Sequence, residues 1–162
     1  MRVIIVGAGP AGLYTAIALK RARPDLEIRV VEQNPADVTF GFGVVFSRQA
    51  LTFLRKDDPS TADLIDPSMK HWSGITVIHA GQQITIDGIG FSGIGRLELL
   101  QLLQHRARAL HIEPEYGTRI DASTDLSDFD LIIGADGFNS AVRRSAPLNF
   151  GEEISLLQNR FA

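Results

Sequence analysis

The residues best placed for chemistry lie near the start of the chain. Gly7-Ala8-Gly9-Pro10-Ala11-Gly12 is a G-x-G-x-x-G turn that follows the apolar, β-branched run Val3-Ile4-Ile5-Val6. A helical pattern comes next, then a second apolar run, Ile28-Arg29-Val30-Val31, which closes on Glu32. Strand, glycine turn, helix, strand and acid in that order form a dinucleotide-binding βαβ unit. Gly7 allows the tight turn, Gly9 lets backbone approach a pyrophosphate, and Gly12 lets the helix pack closely. The helix opening at Pro10 or Ala11 offers unpaired N–H groups to phosphate. Glu32 stands 20 residues beyond Gly12, where a carboxylate can accept hydrogen bonds from both hydroxyls of an adenosine ribose. Gln33, next along the chain, joins it as a candidate nucleotide contact. Removing Glu32 should weaken nucleotide binding and leave folding little affected, because it lies at a strand end. The bland alternatives are a chance glycine turn and a solvated strand-end charge. The apolar stretch from Arg2 to Leu19 also resembles a signal peptide, with Ala16-Ile17-Ala18 as its cleavage site. Cleavage there would discard the glycine turn, and the stretch is interrupted by glycines and a proline, so that reading is the weaker one.

A second constellation lies late in the chain. Asp130-Leu131-Ile132-Ile133-Gly134-Ala135-Asp136-Gly137 reads as an apolar strand, buried on both faces, that ends at Asp136-Gly137. Asp136 would then stand at the carboxyl end of a strand, where α/β sheets bind ligands. It could equally cap a helix starting at Ser140. Between the two constellations, Arg96 opens a strong helical pattern in which Leu97, Leu99, Leu100, Leu103 and Ala107 recur at helical spacing. Arg96 could simply pair with Glu98 or face solvent. His71, His79, His105 and His111 show no metal-ligand spacing, and no G-x-S-x-G nucleophile elbow is present.

Other elements must position these groups. The first helix carries Leu13, Ala16, Ile17 and Ala18 on its apolar face and ends near Pro24. Phe40 to Phe46 follows a loop, and Ser47 caps a helix through Leu51 and Leu54. Residues 55–70 read as a connection with some helix. Ile75–His79 and Gln83–Asp87 alternate around Ala80-Gly81, so residues 72–95 are expected to form a β-hairpin excursion from the parallel layer. Ile112 to Ile120 reads as a further strand or hairpin. The 162 residues are 44% hydrophobic and 22% charged, enough for one globular core. A net charge of −3 with no long basic block argues against nucleic acid as a partner. The absence of cysteine excludes disulfides and thiolate chemistry and fits a cytoplasmic setting. No uninterrupted apolar run is long enough to span a membrane.

Taken together, Gly7/Gly9/Gly12, Glu32, Arg96 with its leucine-rich helix, and Asp136-Gly137 resemble the flavin-dependent aromatic monooxygenases of the p-hydroxybenzoate hydroxylase type. Ala22-Arg23-Pro24-Asp25 and Thr39 to Ser47 look most like the branch that hydroxylates salicylyl-CoA and 2-aminobenzoyl-CoA. The resemblance implies an α/β fold: a Rossmann-like parallel sheet binding FAD and NAD(P)H, with a partial antiparallel sheet. It implies that Arg96 touches the flavin nucleotide, that Asp136 and Gly137 contact FAD and the reducing nicotinamide, and that Gly43 and Val44 lie on a loop close to the flavin ring. Some relatives carry an arginine where Gly41 stands, so one phosphate contact is not accounted for. It further implies hydroxylation of an activated aromatic ring, with NAD(P)H as co-substrate and an aryl-CoA thioester as one substrate class; no catalytic side chain is identified. A later Gly-Asp segment of the family is absent from these 162 residues. The chain is therefore expected to be the N-terminal FAD-binding portion of a longer enzyme, with residues 158–162 starting a substrate-domain strand. Such a portion should hold FAD loosely, hydroxylate nothing unaided, and self-associate through an exposed sheet edge. Two other readings remain: a plain NAD-binding dehydrogenase domain, which leaves Arg96 and Asp136-Gly137 without a role, and a non-catalytic nucleotide-binding module.

Overall fold

The computed structural model describes residues 1–146, 151, 153–155 and 158. The expected strand at the end of the chain falls mostly on residues 159–162, which lie outside the described residues.

The organising element is β1 (Arg2–Val6), whose Val3 to Val6 are all buried. A strand this apolar needs cover on both faces and partners on both edges. It pairs in parallel with β2 (Glu27–Glu32) on one side and with β9 (Leu131–Gly134) on the other. A two-residue strand, β8 (Glu115–Tyr116), extends the sheet beyond β2, giving the order β8-β2-β1-β9. Alternation along β1 divides the core. Val3, Ile5 and Val30 face α1 (Pro10–Ala22) and α4 (Arg96–Ala109), which present Leu13, Ala16, Ile17, Leu99, Leu103 and Ala107. Ile4, Val6 and Val31 face Ile120, Leu126, Phe129 and Val142. An irregular loop and the short α5 (Ala141–Ser145) therefore do on the second face what helices do on the first.

Between β2 and α4 the chain changes character. β3 (Gly43–Ser47), β7 (Phe91–Gly95) and β4 (Lys70–Trp72) form an antiparallel sheet in the order β3-β7-β4. β5 (Ile75–His79) and β6 (Gln82–Ile86) form a separate hairpin. Its turn residues, Ala80 and Gly81, both have positive φ (48° and 78°), the geometry of a type I′ turn whose twist suits a two-residue hairpin loop. The expected excursion thus resolves into a hairpin held between β4 and β7, and β7 returns to pair with β3.

Residues 48–68 are more helical than the sequence suggests. α2 (Arg48–Asp57) starts from Ser47, whose hydroxyl accepts from Ala50 N–H as expected. α3 (Pro59–Ile65) starts from Asp58 and runs into a 3₁₀ turn, Asp66–Ser68. Asp58 is fully buried; it accepts from Thr61 N–H and Oγ1 and meets Arg21 Nη1 at 3.2 Å, tying α3 to the end of α1.

Two expectations fail. β9 is not buried on both faces: Leu131 and Ile132 are each 39% exposed, because among the described residues β9 has β1 as its only strand neighbour. Ile112 to Ile120 supplies only the two residues of β8. Pro114 has no N–H to donate, and Gly117 turns left-handed (φ 69°), which ends the strand. No described helix is long and apolar enough to cross a membrane.

Candidate functional site

The carboxyl ends of three parallel strands converge on one cleft of about 420 Å³. From β1 come Val6, Gly7 and Gly9, from β2 Val31, Glu32 and Gln33, and from β9 Ala135, Asp136 and Gly137. With β1 central and its neighbours on opposite sides, this is the crevice at which open α/β sheets bind ligands.

The glycine turn is built for close approach. Gly7 has φ +104°, and a Cβ there would lie 2.3 Å from the Ala135 carbonyl oxygen. A Cβ on Gly12 would lie 1.9 Å from the Gly7 carbonyl oxygen. Its role is thus to let α1 close onto the turn itself. A Cβ on Gly9 would meet nothing within 4 Å; the space above it is open to the cleft. Helix α1 begins at Pro10 with no side-chain cap and no acidic residue in its first turn. Its N-terminal N–H groups and the positive end of its dipole are therefore available to an anion.

Glu32 is held by the protein itself. Its Oε2 accepts from Ala8 N–H at 2.9 Å, and its Oε1 accepts from Asn34 N–H at 2.9 Å and Asn34 Nδ2 at 2.8 Å. The carboxylate thus pins the glycine turn to the end of β2. An ionised carboxylate has about four acceptor positions, so a ribose would share an already occupied group. This revises the expectation that Glu32 matters little for folding.

Asp136 caps and waits at once. Its Oδ2 accepts from Ala141 N–H at 2.6 Å and Val142 N–H at 3.3 Å, while Ser140 Oγ accepts from Arg143 N–H at 3.0 Å. The capping alternative is therefore real, shared between Asp136 and Ser140. Oδ1 of Asp136 is buried without a hydrogen-bond partner among the described residues, a costly state for a carboxylate oxygen unless a ligand donor meets it.

A smaller adjoining cavity of about 110 Å³ shares Gly9, Glu32, Asn34 and Phe40 with the cleft and adds Pro10, Thr39, Arg96 and Tyr116. Arg96 does not pair with Glu98; its Nε donates to Thr39 Oγ1 at 3.1 Å, and its backbone N–H to the Phe42 carbonyl. Burial pushes the Tyr116 hydroxyl pKa up, and its oxygen has no partner among the described residues.

Gly43 and Val44 line neither cavity. They are paired in β3 with Gly95 and Ile94 of β7, and Val44 packs on the core. Ala11 and Gly12 stand behind the turn rather than on the cleft surface. Sequence reasoning missed Phe40, Arg119 and Arg144, all on the cleft wall. Arg119 sits in an irregular loop that carries no motif. The paired arginines 143 and 144 after Asp136-Gly137 were a usable signal for Arg144.

Fold and cleft together define a dinucleotide-binding α/β domain, and residues 5–66 match the family model for an NAD(P)-binding Rossmann-like domain. More particularly, the chain is homologous to a portion of the flavin-dependent aromatic monooxygenases. It is 38% identical over 161 residues to a salicyloyl-CoA 5-hydroxylase from a Streptomyces species, covering 99% of this chain and 31% of that protein. It is 30% identical to a 3-hydroxy-4-methyl-anthranilyl-[aryl-carrier protein] 5-monooxygenase from Streptosporangium sibiricum, covering 93% of this chain and 42% of that protein. Among solved structures, a tetrameric form of 2-methyl-3-hydroxypyridine-5-carboxylic acid oxygenase superimposes with a TM-score of 0.74 at 26% identity, over 89% of this chain and 41% of that one. The chain thus spans about a third to two-fifths of the length of these relatives.

Proposed function

We propose that this chain is the FAD-binding portion of an NAD(P)H-dependent, cytoplasmic monooxygenase that hydroxylates an activated aromatic ring presented as a CoA thioester. One observation carries the reading: the glycine turn, Glu32 and Asp136 meet at the carboxyl ends of adjacent parallel strands, with Arg96 in the adjoining cavity. The thioester substrate rests on the likeness to the salicyloyl-CoA hydroxylase.

The donor set fits FAD. Open space over Gly9 and the uncapped start of α1 suit a pyrophosphate. Glu32 and Gln33 are assigned to the adenosine ribose, Arg96 to the phosphate side, and the orphaned Asp136 Oδ1 to a hydroxyl donor of the cofactor, with Gly137 beside it. Gly43 and Val44 are proposed to approach the flavin through their backbone at the edge of β3, since their side-chain positions do not face the cleft. When bound, FAD takes electrons from NAD(P)H and directs one atom of O₂ to the ring. The residues of this chain bind and orient it and exclude water from its nucleotide half. The segment 72–95 is assigned to the substrate side. The free edge of β9, with Leu131 and Ile132 exposed, is the proposed site of self-association.

Titrating the 162-residue chain with FAD tests the assignment. Weak but saturable binding is expected, with 5′-ADP competing. Arg96→Ala should weaken FAD binding by about 1.5–3 kcal/mol, the range for a hydrogen bond to a charged group. Equal affinity in wild type and variant removes Arg96 from the site. Failure of ADP to compete removes the glycine turn.

A further inference from the structure

The largest cavity of the molecule is not the glycine cleft. It measures about 740 Å³ and lies between α2, β4 and the start of β7, and it shares no lining residue with the two nucleotide cavities. Its walls are cationic and aromatic. Arg48 and Arg55 line it seven residues apart on one face of α2, with Lys56 next to Arg55. His71 and Trp72 face them from β4.

The cations are not equivalent. Arg55 is neutralised by Asp63 at 2.7 Å and Asp66 at 3.0 Å. His71 is oriented by Ser92 Oγ at 2.7 Å and stands 3.5 Å from Asp66. Arg48 and Lys56 have no carboxylate partner among the described residues. The fold makes room for one of them. Gly90 is buried at φ +70°, and a Cβ there would lie 2.5 Å from Arg48 Nη2. Opposite, Trp72 stacks beside Phe91 with ring centroids 6.0 Å apart and keeps 38% of its surface exposed. Two unpaired cations beside an accessible indole match a ligand that carries phosphates and a flat base together.

We propose that this second cavity binds the phosphorylated adenosine end of a coenzyme A thioester, with the phosphates on Arg48 and Lys56 and the adenine on Trp72. The proposal rests on the aryl-CoA reading above and gives it a place in this chain. A phosphoadenosine also occurs in NADPH, but there the extra phosphate is on the 2′ oxygen. In coenzyme A it is on the 3′ oxygen, so the two sources can be told apart.

Trp72 is the single tryptophan of the chain, so its emission reports on this cavity directly. The 162-residue chain is titrated with adenosine 3′,5′-bisphosphate and, separately, with the 2′,5′ isomer. The expected result is a saturable change in emission that favours the 3′,5′ isomer. It should weaken about tenfold or more in Arg48→Gln and in Lys56→Gln and persist in Glu32→Gln. Circular dichroism establishes that each variant is folded. No saturable change, a change that survives both α2 substitutions, a change lost in Glu32→Gln, or a preference for the 2′,5′ isomer each overturns the proposal. FAD binding measured on the same samples separates the two readings: FAD bound without the bisphosphate defeats this proposal alone, and the bisphosphate bound without FAD defeats the flavin reading.

Discussion

The parallel layer and the β5–β6 hairpin are built from equally apolar residues and end in opposite states. In β1, Val3, Ile4 and Ile5 are wholly buried. In the hairpin, Ile75, Val77, Ile84 and Ile86 are all exposed, although Ile75 pairs with Ile86 and Val77 with Ile84 on one face. The difference is in what covers them. β1 has a strand on each edge, α1 and α4 on one face, and the 120–142 region on the other. The hairpin has only itself, held by its turn and the Thr76–Thr85 hydroxyl pair. Ligand binding is assigned to ends of the layer that is rigid without help, which is where precise placement of a cofactor is possible.

The contrast breaks most sharply within the glycine turn. Gly12→Val places a side chain on the Gly7 carbonyl, and backbone cannot yield there. We expect a loss of about 4 kcal/mol or more, enough to unfold a marginal domain. Gly9→Val points into open cleft, so the fold should survive while FAD affinity falls. Thermal unfolding and FAD titration of the two variants check this; similar melting temperatures for both would refute the packing argument.

Next in size is core truncation. Ile5→Ala should cost about 3 kcal/mol, within the usual range for a large aliphatic residue cut back in a core. Val77→Ala, in the hairpin, should cost under about 0.5 kcal/mol, as surface substitutions do. Urea unfolding of both settles the comparison. A cost for Val77→Ala near that of Ile5→Ala would show that the hairpin face is covered in solution, by a second copy or by other chain.

Glu32 is where the sequence was half legible. Its spacing from Gly12 marked it as a ribose acceptor, but nothing in the spacing showed that it also holds Ala8 and Asn34. Glu32→Ala should lose about 1.5–3 kcal/mol in FAD binding and about 1–2 kcal/mol in stability, since a buried N–H loses its acceptor. Glu32→Gln should recover most of the stability. The same division runs through the chain. The βαβ unit, α4 and the hairpin were readable because their periodicity is local. β9 misled because four apolar residues look alike at the centre and at the edge of a sheet. The segment from Ile112 to Ile120 misled because Pro114 and Gly117 outweigh its apolar positions. The second cavity left no sequence signal, because Arg48, Lys56 and Trp72 come together only through the pairing of β4 with β7 and the packing of α2 beside them.

The smallest effect separates the two regions by pH. Arg29 and Glu115 form a two-pronged ion pair, at 2.9 and 2.8 Å, that fastens β8 to β2. Arg29 holds the Glu115 carboxyl below its ordinary value of 4.5. A carboxyl lowered by folding stabilises the folded state above its unfolded value, and that contribution is lost as pH falls through the lowered one. Both side chains are nearly half exposed, so water and salt screen the pair, and a few tenths of a kcal/mol is the expected size. The stability difference between wild type and Glu115→Gln should therefore be constant from neutral pH down to about 5. It should then shrink towards zero as the medium becomes more acid, and shrink too in high salt. The hairpin's Thr76–Thr85 bond has no titrating group, so Thr76→Val should show a cost that does not change over the same range. A difference for Glu115→Gln that is flat with pH would mean that the parallel sheet's outer edge is held by the Val31–Glu115 and Glu32–Tyr116 backbone pairing alone, and that the ion pair only decorates it.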